Sequence, residues 1–241
     1  MILAETVRSF ETFGPSHVAV IVLTVIVGAA LPVWARMAKS QKTARGICWA
    51  VAMGLLVNEF VYYGQGLATR TMIDFARNCL PIHVCGAVIY LTAWALLKRG
   101  QRVYEIAYFW GLGGTVQALL TPNIVDDFPA YWFVQYFITH GGIVAGVLFA
   151  TFGLKMRPRR GAVLRAFVIT NLYTGFVAGA DWLLGANYMF LCSPPVGKSP
   201  FFFLPWPWYI LFLEAVGLGF LLLLYLPFVL SDRLRRRSSA R

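Results

Sequence analysis

The sequence predicts an all-α membrane protein, a polytopic bundle of seven transmembrane helices with the N-terminus outside the cell and the C-terminus in the cytoplasm. Composition is the first indication: of 241 residues, 59% are hydrophobic and 13% are charged, and the mean hydropathy is +0.67. A soluble domain is about half apolar and about a quarter charged, and a disordered chain has low hydrophobicity and high net charge. The second indication is that the charges stand between long uncharged runs, as in a chain that crosses a bilayer repeatedly.

Seven segments are apolar over roughly the length of about 20 residues that a bilayer-spanning helix needs. They are residues 16–35, 46–64, 79–97, 103–121, 130–153, 162–184 and 206–230, and a basic tail follows at 231–241. Their length, and their lack of alternation between apolar and polar residues, exclude the strands of a membrane β-barrel. We therefore expect residues 1–241 to form one transmembrane domain.

The distribution of Lys and Arg predicts the orientation. Successive loops and tails of a multi-span protein lie on alternate sides of the membrane. Counted in this way, one side carries 17 Lys and Arg residues and the other carries 4. The side with more Lys and Arg lies in the cytoplasm. This places the tail at 231–241 inside and indicates a multi-pass protein of the cell membrane, plasma or inner. Topology also explains the net charge of +11, so no nucleic acid is expected, and the predicted partners are membrane lipids.

Polar side chains inside the spans carry the functional prediction, because such groups are unfavourable in hydrocarbon and usually line a cavity or pathway. Placed by depth, they concentrate in the outer half of the membrane. They are Asn58, Glu59, His83, Gln117, His140, Asp181 and Glu214. We therefore expect one polar cavity that opens to the outside. No lysine lies inside a span, which excludes a retinal Schiff base.

His83 and His140 are the predicted catalytic histidines, with Glu59 and Glu214 as their carboxylate partners. A carboxylate next to an imidazole fixes its tautomer and makes it more basic, which suits general acid–base catalysis. At least one imidazole is therefore expected within hydrogen-bond distance of a carboxylate. The alternative is that these groups form interhelical hydrogen bonds that only fix the packing. No helical pair of metal ligands is present, so neither a metal nor another cofactor is predicted.

The cysteines do not identify which residue, if any, acts as a nucleophile. Cys79 lies four residues before His83 on the predicted helix, whereas Cys85 lies two residues after it, on nearly the opposite face. Buried thiols are mostly inert, so neither cysteine is assigned a role. Cys79 and Cys192 both fall on the predicted outer side, where they form either a disulfide or two separate thiols.

Two pairs of glycines predict close helix packing, Gly142 with Gly146 and Gly175 with Gly179. Small residues four positions apart let neighbouring backbones approach each other in a membrane. Both pairs are therefore expected to lie at interfaces between helices of a compact bundle.

The segment 185–205 is predicted to fold over the outer mouth of the bundle as an irregular lid. Pro194 and Pro195 cannot continue a helix, while the aromatic residues Phe201, Phe202 and Phe203 are typical of the membrane interface. We expect this lid to pack against the cavity.

Several motifs resemble those of the YwaF-like family of bacterial integral membrane proteins. They are Leu80-Pro81-Ile82-His83-Val84-Cys85, the run from Gly113 to Pro122, His140-Gly141, Asn187-Tyr188-Met189-Phe190-Leu191, the run from Pro205 to Tyr209, and Glu214. The matches extend over residues 58–228 in the order of the family. The resemblance implies a membrane protein of six or seven helices.

That family is similar, more distantly, to the eukaryotic transmembrane protein 164 acyltransferases, which act on phospholipids through a cysteine. Those proteins carry Pro-Cys-His where this chain has Pro81-Ile82-His83, so the resemblance carries over the histidine and not the nucleophile.

The predicted function is lipid-directed acyl transfer or hydrolysis in the outward-facing cavity, with His83 or His140 as general base. The alternative is a non-enzymatic transporter, or a membrane protein that binds a small molecule in the same cavity. Five further residues are predicted to bind the substrate: Asn58, Gln117, Asp181, Asn187 and Tyr188.

Overall fold

The computed structural model describes residues 8–195 and 201–239, and this part of the chain contains helices and no strand. The predicted all-α fold is therefore confirmed for these residues. Lys198 of the charge count, and the part of the predicted lid at 196–200, lie outside them. The helices are α1 Pro15–Ala38, α2 Gln41–Thr69, α3 Met72–Asn78, α4 Val84–Lys98, α5 Gln101–Leu120, α6 Tyr131–Leu148, α7 Ala162–Leu184 and α8 Trp208–Ser239. A π-helical turn, Phe149–Gly153, extends α6, and a 3-10 turn, Tyr188–Phe190, follows α7.

The region before α4 differs from the prediction, which started a helix at residue 79. Pro81 has no backbone N–H to donate, and His83 has an extended conformation (φ −60°, ψ 146°), so α4 begins only at Val84. The short helix α3 precedes it, where the sequence analysis expected a loop. The Thr71 hydroxyl caps α3 by accepting a hydrogen bond from the Asp74 backbone N–H at 3.2 Å.

In the described part of the chain, five helices are long and apolar enough to cross a membrane: α1, α2, α6 with its π-helical turn, α7, and α8 as far as Arg236. α4 is apolar but has 15 residues, which rise about 22 Å, less than the hydrocarbon core of about 30 Å. α5 is not among the five. The chain is therefore a polytopic helical protein with several helices capable of spanning a membrane.

The bundle has two ends that differ in charge. We call one the basic end, and it consists of residues 39–40, 99–100, 154–161 and 231–239 together with the adjoining turns of the helices. We call the other the cavity end, and it consists of residues 70–83, 121–130, 185–195 and 201–207 together with the adjoining turns of the helices. Contacts close each end across the bundle: at the basic end Arg36 Nη2 donates to the Phe152 carbonyl at 2.9 Å, and at the cavity end Arg77 Nε donates to the Leu184 carbonyl at 2.7 Å.

The helices α5 and α6 form the centre of the bundle. α5 contacts α4, α6, α7 and α8, while α6 contacts α1, α2 and α4. Between them Phe109, Ile143 and Val147 are almost completely buried. α7 and α8 lie at the periphery, with most of their apolar surface exposed.

One of the two predicted glycine pairs lies at a helix interface. A Cβ added to Gly142 would come within 2.8 Å of Leu55 Cδ2, and one added to Gly146 within 2.7 Å of Thr92 Cγ2. The prediction for this pair is confirmed. It is wrong for Gly175 and Gly179, which face open space on α7 with no atom within 4 Å of an added Cβ.

His17 ties α1 to the end of α5, a role that the sequence analysis missed. The ring is completely buried. Its Nδ1 accepts the Phe13 backbone N–H at 2.8 Å, so Nε2 carries the hydrogen and donates to the Leu119 carbonyl at 2.7 Å. This carbonyl lies in the last turn of α5, where it has no partner within the helix. His17 is therefore a structural residue.

Glu105 joins α5 to α7 at the basic end. Its structural role was not predicted from the sequence. Its carboxylate accepts four hydrogen bonds: from Gln101 Nε2 at 3.1 Å, from the Arg159 backbone N–H at 3.0 Å, and from Arg165 Nε and Nη2 at 3.1 and 2.7 Å. The Glu105 side chain is 3% exposed and that of Arg165 is 40% exposed. The buried carboxylate is thus fully hydrogen-bonded.

Candidate active site

A cavity of about 800 Å³ lies at the cavity end between α2, α4, α5 and α6. Four of the predicted site residues line it: Glu59, His83, Gln117 and His140. They come from four different elements, so the helix packing brings together side chains that are distant in sequence.

Part of the described segment of the predicted lid lines this cavity. Phe190, Pro195, Phe201 and Phe202 contribute to its lining. The Tyr209 hydroxyl, at the start of α8, donates to the Phe190 carbonyl at 2.6 Å and so holds the segment on the bundle. The packing expected for the lid is confirmed for these residues.

His83 connects the start of α4 to the lid. Its Nδ1 accepts the Met189 backbone N–H at 3.2 Å. The ring also packs edge-on against Tyr188, with centroids 5.0 Å apart. Burial lowers the pKa of the His83 imidazole, which favours the neutral ring. Because Nδ1 accepts, the hydrogen of this neutral ring lies on Nε2, which can act as a donor.

His140 has the opposite tautomer. Its Nδ1 lies 2.7 Å from the Tyr136 backbone carbonyl. A carbonyl oxygen can only accept, so Nδ1 donates and Nε2 of the neutral ring has a free lone pair. No described residue forms a hydrogen bond to this Nε2. The ring is stacked on that of Tyr136, with centroids 4.0 Å apart.

Tyr136 is a site residue that the sequence analysis missed. It lines the cavity, and its hydroxyl donates to the Ala118 carbonyl at 2.8 Å, which fixes the ring beneath His140. It lies four residues before His140, so the helical spacing could have revealed it. Arg70 and Asp126 were also missed as cavity residues.

The predicted pairing of a histidine with a carboxylate is not found among the described residues. Both imidazole Nδ1 atoms bond to backbone groups instead, His83 to the lid and His140 to its own helix. Glu59 is buried in the cavity wall next to the phenol of Tyr63. The prediction fails because the Nδ1 atom of each histidine has a backbone partner, which lies in the lid for His83 and one helical turn earlier in α6 for His140.

Glu214 does not line the cavity. It is exposed on the outer surface of α8, where its carboxylate has no hydrogen-bond or ion-pair partner in the described part of the chain. The expectation that it shares a site with the histidines is therefore wrong. Both faces of α8 are apolar, so the sequence did not indicate which face turns toward the bundle.

Three further predicted residues hold the lid rather than face the cavity. Asp181 is 1% exposed, and its Oδ1 accepts the Tyr188 backbone N–H at 2.7 Å. The Tyr188 hydroxyl donates to the Ala76 carbonyl at 2.9 Å. Asn187 Oδ1 accepts the Cys192 backbone N–H at 3.0 Å. The lid is thus attached to α3 and α7 through internal hydrogen bonds.

Asn58 lies behind the cavity wall. Its Nδ2 donates to Thr139 Oγ1 at 2.8 Å and to the Gln135 carbonyl at 3.3 Å. Both acceptors belong to residues that line the cavity. Asn58 therefore positions this part of α6.

Cys79 and Cys85 both line the cavity. The expectation that helical spacing puts Cys85 on nearly the opposite face from His83 is therefore wrong. Cys79 follows the end of α3 and His83 precedes α4, so the two residues do not lie on one helix. His83 and Cys85 consequently share the cavity, although a continuous helix would have separated them. Cys79 is buried, Cys192 is exposed, and both are free thiols.

Acidification should release the lid from His83. In the neutral ring Nδ1 accepts the Met189 N–H, and protonation removes this acceptor. Because burial lowers the pKa of His83 from its ordinary value of 6.5, the hydrogen bond is fully present above that pH and is lost as the pH falls through the lowered pKa. Hydrogen-exchange protection factors for residues 188–190, measured across this range, should decrease on acidification.

The variant His83→Phe is the control for this prediction. It keeps an aromatic ring but has no acceptor, so its protection should be low and should not depend on pH. Protection in the wild type that stays constant down to the acid end, or that falls as the pH rises, would contradict the assignment.

Comparisons with known proteins give the chain its family. The model of the TMEM164 family matches residues 12–225. An uncharacterised protein of Treponema pallidum (strain Nichols) is 28% identical over 237 residues, which cover 94% of this chain and 92% of that protein. No solved structure matches the chain. Because the family model covers most of the sequence, the chain belongs to the TMEM164 family.

Proposed function

We propose that the chain is a seven-span protein of the cell membrane that performs acyl transfer or hydrolysis on membrane lipids in the cavity at the cavity end. In this proposal α1, α2, α4, α5, α6, α7 and α8 cross the bilayer. The N-terminus and the cavity face outward, and the basic end lies in the cytoplasm. Membership of the TMEM164 family and the apolar helices support a membrane site.

The observation that carries the proposal is the opposite tautomers of the two histidines in one cavity. His83 presents an N–H donor at Nε2, because its Nδ1 accepts from Met189. His140 presents a lone pair at Nε2, because its Nδ1 donates to Tyr136. A donor for a carbonyl oxygen and a base for a nucleophile are the two groups that acyl chemistry requires.

The two histidines have different roles in the proposed reaction. His140 Nε2 takes the proton of the nucleophile as the nucleophile attacks the ester carbonyl of the lipid. The His83 Nε2–H donates a hydrogen bond to the carbonyl oxygen as it becomes negative. When the ester C–O bond breaks, His140 returns the proton to the leaving alcohol.

Cys85 is the proposed nucleophile for acyl transfer. It lines the same cavity as both histidines. Ile82, at the position of the cysteine in the related acyltransferases, lines a different cavity, so a thiol there would lie outside this site. Attack by Cys85 forms a thioester. A second alcohol then attacks this thioester and gives its proton to His140 Nε2; the C–S bond breaks, and His140 returns the proton to the Cys85 thiolate. Water in place of the alcohol gives hydrolysis.

Cys85→Ala should prevent the formation of an acylated protein. The purified protein is incubated in phospholipid vesicles with an isotope-labelled acyl chain, and its intact mass is measured. We expect an acyl adduct in the wild type and in Cys48→Ala, which removes a buried thiol outside the cavity, but none in Cys85→Ala. An adduct of undiminished yield in Cys85→Ala would exclude Cys85 as the nucleophile.

The proposed topology predicts opposite locations for the two termini. The asymmetry of 17 against 4 basic residues supports it. A reporter fused after Arg241 should be active in the cytoplasm, and one fused before Met1 should be active outside. Finding both termini on one side of the membrane would contradict seven spans.

The closely packed core of the bundle favours a site that is accessible from one side of the membrane, rather than a path for transport across it. Toward the basic end the cavity is followed by Phe109, Ile143 and Val147, each at most 1% exposed. A transported polar solute would need polar groups at this depth. The packing at this position instead supports chemistry at the cavity end.

A further inference from the structure

A second cavity, of about 630 Å³, forms a groove along the outside of the bundle between α4, α5 and α7. Among the described residues, Pro81 is the one that lines both this groove and the candidate active site. Val103 and Ile106 form its floor on α5, and Ile169 and Phe176 form one wall on α7. Ile169 and Phe176 are exposed, so the groove is open toward the lipid side.

The surface of the groove is apolar because its aromatic residues turn their polar atoms toward the protein. Trp110 Nε1 donates to Thr170 Oγ1 at 2.8 Å, and the Tyr173 hydroxyl donates to the Ile82 carbonyl at 2.9 Å. The Tyr90 hydroxyl is hydrogen-bonded to that of Tyr63 at 3.0 Å. These rings therefore offer only carbon atoms to an occupant, which suits a hydrocarbon chain.

Of the described residues that line the groove, one is charged: Arg102, at the basic end. Its guanidinium is exposed and forms no hydrogen bond or ion pair within the described part of the chain. Three other arginines at this end are engaged: Arg165 with Glu105, Arg157 with Asp232, and Arg36 with a backbone carbonyl. Arg102 is thus a free cation at the end of an apolar channel, complementary to an anionic head group with a hydrocarbon chain.

The dimensions suit one lipid chain. The groove extends from Arg102, near the start of α5, to Pro81, just before α4. The 15 residues of α4 between these points rise about 22 Å, which exceeds half of the hydrocarbon core of about 30 Å. An acyl chain that starts at the interface near Arg102 can therefore lie along the groove over its full length.

We propose that the groove binds one anionic phospholipid from the leaflet at the basic end, with its phosphate at Arg102 and one acyl chain between α4 and α7. This lipid is distinct from the substrate proposed for the candidate active site, because its ester groups lie at the opposite end of the bundle from His83 and His140. The proposal does not depend on the chemistry of that site.

The charge of the site is tested by lipid competition. The protein is reconstituted in vesicles with equal amounts of phosphatidylglycerol and phosphatidylcholine, then extracted gently, and the retained lipids are identified by native mass spectrometry. We expect one phosphatidylglycerol to be retained in preference to phosphatidylcholine. Arg102→Gln should lower this preference about fivefold, whereas Lys98→Gln, which removes an exposed charge of the same end outside the groove, should keep the wild-type ratio.

The shape of the site is tested by filling the groove. Ile169→Trp places a large side chain in the groove, and Val168→Trp places the same side chain on another face of α7. These positions are 40% and 47% exposed, so both variants should fold, which thermal unfolding will verify. We expect Ile169→Trp to lose retention of both lipids and Val168→Trp to retain them as the wild type does.

Two results would overturn the proposal. Equal loss of preference in Arg102→Gln and Lys98→Gln would indicate a diffuse positive surface in place of a site. Retention of phosphatidylglycerol by Ile169→Trp at the wild-type level would show that the chain does not lie in the groove.

Discussion

Replacing His140 with Gln should lower turnover of the acyl lipid by about 10²–10⁴-fold and leave folded protein in the membrane. Gln keeps a hydrogen-bonding shape, and its amide can still donate to the Tyr136 carbonyl that binds Nδ1 in the wild type. It cannot take a proton near neutral pH, so the base is lost while the packing is kept. Release or transfer of a labelled acyl chain in vesicles, measured together with thermal unfolding, separates the two effects.

His83→Gln is the matched variant for this experiment. The amide oxygen of Gln can accept the Met189 N–H, and its NH₂ group can still donate to a carbonyl oxygen. Because the proposed role of His83 is that of a donor, this variant should lose less than about 100-fold. Equal losses in the two variants, or a larger loss in His83→Gln, would contradict the assignment of base and donor.

Replacing Glu105 with Leu should lower the free energy of unfolding by about 2–3 kcal/mol. The change leaves Arg165 and the Arg159 backbone N–H without their acceptor. Removing one partner of a buried ion pair costs about 3–5 kcal/mol, and the 40% exposure of Arg165 reduces this because water can solvate the remaining charge. Unfolding by denaturant in detergent micelles measures the change.

Asp232→Asn provides the control for Glu105→Leu. The ion pair of Asp232 with Arg157 has nearly the same distance, 2.8 Å, but both side chains are substantially exposed, at 47% and 39%. Its loss should therefore lower stability by less than about 1 kcal/mol. The double variant Glu105→Leu with Arg165→Met should regain much of the loss, because it leaves no unpaired charge. A loss in Glu105→Leu no larger than that in Asp232→Asn would contradict a structural role for Glu105.

The helices could be predicted because a long apolar run that crosses a membrane must form a helix, in which its backbone polar groups are hydrogen-bonded to one another. The break before α4 was missed because Cys79 and Leu80 continue an apolar run, although Pro81 marks its end. The helix α3 does carry a sequence signal, since Thr71 and Asp74 have the spacing of a capping box. A helix of seven residues that mixes apolar and polar side chains is otherwise indistinguishable from a loop by hydropathy.

The cavity was partly predictable, because depth alone grouped Glu59, His83, Gln117 and His140. Depth does not give the rotation of a helix about its axis, so Glu214 was assigned to the cavity although it lies on the outer surface of α8. Hydrogen-bond partners were not predictable from depth either, because they depend on rotamers and on the path of the lid. The tautomers of the histidines, which carry the proposed function, follow only from the contacts with Met189 and Tyr136.

The most direct test of the central claim compares the acyl composition of membrane phospholipids in cells that have the gene, cells that lack it, and cells that carry it with His140→Gln or Lys98→Gln. The account predicts that deletion changes this composition, that the wild type and Lys98→Gln restore it, and that His140→Gln does not, despite normal amounts of protein in the membrane. An unchanged composition on deletion, or full restoration by His140→Gln, would contradict lipid acyl chemistry in this cavity.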